Sequence, residues 1–79
     1  MKQISQLSEQ ERTVLALLAL GQRNARIADE LSISIRTVEN HLYHIFQKLG
    51  VSSRIEAALY VLRSDLASNS EMSGFTQDM

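Results

Sequence analysis

A chain of 79 residues is one domain at most and has room for only a small core. It has no cysteine, which excludes disulfides and thiolate metal sites and favours a reducing setting, and no proline, which suits helix. The net charge of -1 argues against a strongly basic nucleic-acid binder, but that charge is unevenly placed.

Met1 to Arg63 holds eight Lys and Arg against six Asp and Glu, a balance of +2, whereas Ser64 to Met79 holds three acids and no cation. The acidic balance therefore belongs to the tail. Any affinity for phosphate must come from where the remaining cations sit, or from doubling them in a dimer. The longest apolar run, Val14 to Leu20, is far too short to span a bilayer. No signal peptide is visible, and no membrane partner is expected.

Met1 to Gln6 has no pattern and is expected to fray. Ser8-Glu9-Gln10-Glu11 is a capping box, with the Ser8 hydroxyl and the Glu11 carboxylate each reaching the other's backbone N–H. The helix it opens carries Val14, Leu15, Leu17 and Leu18, and Gly21 is placed to end it. Asn24 is expected to cap a short second helix, Ala25 to Leu31, whose inner face is Ile27, Ala28 and Leu31. Ser32-Ile33-Ser34 makes a three-residue break, and Ser34 caps the next helix.

That helix, Ile35 to Leu49, organises the chain. Val38, Leu42, Ile45 and Leu49 recur at steps of four, three and four and form an apolar stripe, which Ile35 and Phe46 widen. Arg36, Asn40, Tyr43 and Gln47 form the opposite stripe, bordered by Glu39 and His44, and every one of them can hydrogen bond. Gly50 stops the helix. Ser53-Arg54-Ile55-Glu56 is a second capping box and opens a fourth helix to about Asp65.

The fourth helix has two apolar faces. One is Ile55, Ala58, Leu59, Leu62 and Leu66; the other, Ala57, Tyr60 and Val61, is surplus to a small core and is read as a partner surface. From Ala67 the chain is polar and small, as in a flexible tail. The fold class expected is all-α, a four-helix bundle-like domain over residues 1–66 with a central helix-turn-helix, followed by a tail at residues 67–79.

Taken alone, the polar stripe reads as a merely solvated face, as most polar helix faces are; following a short helix and a three-residue turn it can instead meet DNA, and its chemistry then divides by residue. Asn40 donates and accepts as a fixed pair, which suits adenine, while Glu39 only accepts, which favours the amino group of cytosine. Tyr43 can touch a thymine methyl with its ring edge or a phosphate with its hydroxyl. Arg36 in the first turn suits a phosphate or a guanine edge, and Gln47 at the far end of the stripe is expected at a phosphate. His41 and His44 are three apart, but they fall on opposite sides of the wheel with no third ligand near, so no metal is assigned. Glu11 and Arg54 carry opposite charges and could join the first and fourth helices. No nucleophile-base constellation or phosphate-cradling glycine loop is present, so neither an enzyme nor a cofactor is expected.

With these residues laid out, the chain resembles the DNA-binding domain of LuxR/NarL-type transcription regulators. The resemblance runs from about Leu7 to Leu62 through LSEQERTVLALLALG, NARIADELSISIRTVENHLYHIFQKLGV and SRIEAALYVL. It implies that the Ile35 helix lies in the major groove with Glu39, Asn40 and Tyr43 at base edges. Asn24, Thr37 and Lys48 would touch phosphates. The fourth helix would pair two copies on double-stranded DNA. It also implies a bacterial, cytoplasmic regulator, usually with a receiver or ligand-binding domain ahead of this one.

The chain departs from the family pattern at Glu39 and Ala25, where cations are usual, and at Gln10, where arginine is usual. The first two remove positive charge from the DNA-facing side and imply an uncommon operator. A protein-interaction module on the same scaffold, with weakened DNA binding, is the alternative function.

Overall fold

The structure is a computed structural model that describes residues 6–64, so the expectations for residues 1–5, for Leu66 and for the tail at 67–79 lie outside the described residues. The chain forms α1 (Glu9–Ala19), α2 (Asn24–Leu31) and α3 (Ile35–Leu49), followed by α4, described over residues 54–64. The architecture is all-α.

Three of the helices, α1, α3 and α4, begin where a short polar side chain satisfies N–H groups that have no partner inside the helix. At α1 the Glu11 N–H donates to Ser8 Oγ at 3.1 Å and the Ser8 N–H donates to Glu11 Oε1 at 3.0 Å. At α3 the Thr37 N–H donates to Ser34 Oγ at 3.0 Å. At α4 the Glu56 N–H donates to Ser53 Oγ at 3.1 Å, but the Glu56 carboxylate accepts from the Ser52 N–H at 2.8 Å instead of from Ser53. The α2 start differs from expectation. Arg23 occupies the cap with no side-chain bond, and Asn24 is the first helical residue. Its side-chain carbonyl accepts from Arg54 Nη1 at 2.8 Å, so it cannot fold back onto the helix end.

The first three helices end in the same way. One N–H past the end donates five residues back and the one before it donates three back, a Schellman closure. The pairs are Gln22 to Leu17 O and Gly21 to Leu18 O, Ile33 to Ala28 O and Ser32 to Asp29 O, and Val51 to Phe46 O and Gly50 to Gln47 O. This closure needs a positive φ. Gly21 and Gly50 adopt it without a Cβ conflict, whereas Ser32 holds φ 58° against its own Cβ.

The core forms where α3 lies across α1 and α2. Val14, Leu15, Leu18, Ile27, Ala28, Val38, Leu42, Ile45 and Leu49 are buried, and each large apolar side chain so removed from water contributes roughly 1.5–3 kcal/mol before entropy is charged against it. Phe46 packs partly against this core as expected, but Ile35 does not join the stripe and is 46% exposed.

The two faces of α4 are inverted relative to expectation. Ala57 is fully buried, and Tyr60 and Val61 pack half-buried on the core, so Ala57 cannot be an exposed contact. Ile55 (72% exposed), Leu59 and Leu62 face outward instead. The cause is Arg54, whose guanidinium reaches Asn24 Oδ1 and, at 2.7 Å, the Gln22 carbonyl. That anchor turns residue 54 inward, and positions three, four and seven further on, Ala57, Ala58 and Val61, follow it.

Glu11 does not pair with Arg54. It is 6% exposed and accepts from Lys48 Nζ at 2.8 Å, joining the start of α1 to the end of α3. Burial disfavours the charged carboxylate, but the hydrogen bonds from Lys48 and Ser8 outweigh it and hold the pKa below its usual 4.5.

Two outcomes follow from these features. Ser32→Gly relieves the left-handed strain and is expected to raise stability by about 0.5–1 kcal/mol, read as a higher urea midpoint at constant slope; Ser32→Val is expected to lower it by about 1–2 kcal/mol. Because folding lowers the Glu11 pKa, its stabilisation is fully present above 4.5 and is lost as the pH falls through the folded-state value. Glu11→Gln keeps a capping side chain yet cannot ionise, so its unfolding free energy should fall less steeply than that of the parent from about pH 7 to about pH 3. Equal acid-side slopes would contradict the assignment.

Candidate nucleic-acid interface

The helix-turn-helix unit is α2, the break Ser32 to Ser34 and α3. Two sequence features fix its geometry. Ile33, the one apolar residue of the break, packs against the core and pins the turn down. Ala28, buried and small, lets α3 cross α2 closely.

With Val38, Leu42, Ile45 and Leu49 buried, the opposite side of α3 has to face solvent. Arg36, Glu39, Asn40, Tyr43, His44 and Gln47 are all exposed there. Tyr43 is 61% exposed, and its ring meets the His44 ring edge-on with centroids 5.6 Å apart. This is the polar face read from the sequence, placed as expected and presented as one continuous row.

The expected phosphate-side residues are held more tightly. Thr37 is half-buried, with its hydroxyl 2.9 Å from Ser34 Oγ at the start of α3. Asn24 is half-buried beneath Arg54. The Lys48 ammonium is fixed by Glu11 at 2.8 Å, so it is presented from a set position at the end of α3. His41 is half-buried, and its Nε2 has no hydrogen-bond partner among the described residues. Among the described residues, no group of three His, Cys, Asp or Glu could hold a metal ion.

Two residues join the site that sequence reasoning passed over. Arg23 is exposed immediately before α2 and, among the described residues, has no ion pair or side-chain hydrogen bond. The first N–H groups of α2, from Asn24 to Arg26, have no side-chain cap, and the helix dipole places positive potential at that end. The signal was in the sequence as an arginine beside a helix start, masked by assigning the cap to Asn24. Ile35, left exposed, adds an apolar group one turn before Glu39; its place at the margin of the apolar stripe was the hint.

A second surface lies away from α3. Leu59, Leu62 and Val61 of α4 face Ala16 and Ala19 of α1, and Leu20 just past its end, across a shallow apolar groove of about 430 Å³. Leu20 is 75% exposed at its edge. Among the described residues, no helix is long and apolar enough to cross a membrane.

Comparison with known proteins agrees with this geometry. Residues 5–61 match the family described as bacterial regulatory proteins, luxR family. Over 60 residues the chain is 43% identical to the transcriptional regulatory protein LiaR of Bacillus subtilis (strain 168), covering 76% of this chain and 28% of that protein. The oxygen regulatory protein NreC of Staphylococcus aureus (strain JH9) matches to the same extent, at 43% over 60 residues, 76% of this chain and 28% of its own length. The chain thus spans 28% of the length of these curated relatives.

Proposed function

Because the chain belongs to the LuxR family of bacterial regulatory proteins, whose helix-turn-helix binds DNA, we propose that it reads a specific operator with α3 laid in the major groove. The observation that carries this reading is the exposed polar row of α3, directly after a three-residue turn, with its apolar side buried. Glu39, Asn40 and Tyr43 are then the base-edge contacts. Arg36, Thr37, Gln47, Lys48 and Asn24 sit at phosphates, joined by Arg23 at the start of α2.

Two copies pair on the DNA through the outer face of α4. Leu59 and Leu62, with Leu20 at the end of α1, replace Ala57 and Tyr60 in that role, because only the former are exposed. Val61 stays at the margin, half-buried in the groove. In the full-length protein a receiver or ligand-binding domain precedes this one; the greater length of the relatives leaves room for it. The regulator works in the bacterial cytoplasm, where the chromosome lies.

A protein-interaction role on the same scaffold is favoured by one observation, the exposed Leu59 and Leu62 of α4 with Leu20 just past α1. Salt separates the two readings. Affinity for a duplex selected from a random pool should fall linearly on a log-log plot as salt rises, and a pool that yields no enriched duplex at low salt would leave only the interaction role.

Asn40→Ala should relax one base position by about 1–3 kcal/mol of discrimination while leaving the salt slope unchanged. For the dimer, Leu62→Asp should weaken binding to a paired site far more than to a half-site, because it places a charge in the apolar contact without touching the core. Equal losses on both would remove α4 from the interface.

A further inference from the structure

We propose that Glu39 sets the operator's sequence by accepting a hydrogen bond from the exocyclic amino group of a cytosine. The inference rests on the major-groove placement of α3. Glu39 is exposed on the reading face, with Arg36 one turn before it and Tyr43 one turn after. Its carboxylate has no hydrogen bond or ion pair among the described residues, although Arg36 is only three residues away. On α2, by contrast, Arg26 and Glu30 close such a pair at 3.0 Å. Glu39 therefore reaches a DNA surface with its charge uncompensated.

An ionised carboxylate offers acceptors only. Phosphates repel it. Guanine presents N7 and O6 acceptors in the major groove and thymine presents O4, so both are refused. Adenine presents a donor beside an acceptor, which fits the mixed amide of Asn40 and not two carboxylate oxygens. Cytosine presents its N4 amino donor alone, and it is the base at which Glu39 gains without an accompanying clash. Ile35, exposed on the same flank one turn earlier, likewise gains nothing at a phosphate and can meet a thymine methyl. This flank of α3 is made for base edges. Its anion lowers affinity for DNA at large and so obtains selectivity by penalising wrong sequences.

The test is selection of bound duplexes from a random pool at low salt, in parallel for the parent, Glu39→Gln and Glu39→Lys. Circular dichroism on each establishes equal helix content. The parent should fix a cytosine at one position. Glu39→Gln should lower that preference about tenfold and move it toward adenine, while binding unselected DNA more tightly. Glu39→Lys should move it toward guanine. A parent pool without a fixed cytosine, or identical preferences for parent and Glu39→Gln, overturns the role of Glu39 and leaves DNA reading intact. A pool in which none of the three proteins enriches any duplex overturns the DNA reading, and this inference with it.

Discussion

The Glu11 carboxylate is the one charged group that the described core encloses, and the disposition of the helices depends on how it is satisfied. A charge out of water is tolerable only when it is paired and hydrogen-bonded. Glu11 meets that condition by capping α1 with one contact and taking Lys48 from the end of α3 with another. Arg54 does the equivalent for α4, joining it to the start of α2. α3 is itself tied to α1 through Lys48 in its last turn. Its apolar stripe is held on the core and its polar row is held outward, which is the condition for reading anything with that row.

Much of this architecture is local and was legible in the residues. Serines ahead of each of α1, α3 and α4, glycines at two of the turns and a strict apolar period in α3 each point to one element. What local pattern could not supply was the choice between two equally apolar faces on α4. That choice is made by Arg54 reaching a backbone carbonyl 32 residues earlier. The partner of Glu11 stands 37 residues away and was hidden for the same reason. In the site, the polar row was legible because it is the complement of the buried stripe. Ile35 was misplaced because a residue at the edge of a stripe is assigned by the neighbouring packing, which periodicity does not contain. Arg23 was overlooked because Asn24 is the better cap by residue type, until Arg54 takes it for another purpose.

The described arginines and lysines divide into two groups. Arg26, Lys48 and Arg54 are engaged by the chain's own acceptors. Arg12, Arg23, Arg36 and Arg63 have no such partner among the described residues. A polar row with so few uncommitted cations beside it, and with the anionic Glu39 in it, has modest electrostatic attraction to a polyanion. Under the proposed pairing through α4, joining two such surfaces at fixed spacing would make the second contact intramolecular and multiply a weak affinity.

The tight helix reversals described above bear on time as well as on shape. Between α1 and α2, and again between α2 and α3, the chain turns within a few residues, each turn closed by its own backbone hydrogen bonds. Elements adjacent in sequence therefore meet with little loop entropy to overcome, and domains with such local connectivity assemble on the microsecond-to-millisecond scale. Fast local assembly of this kind leaves little time for partly folded species to associate, which suits a domain that exposes Leu20, Leu59 and Leu62.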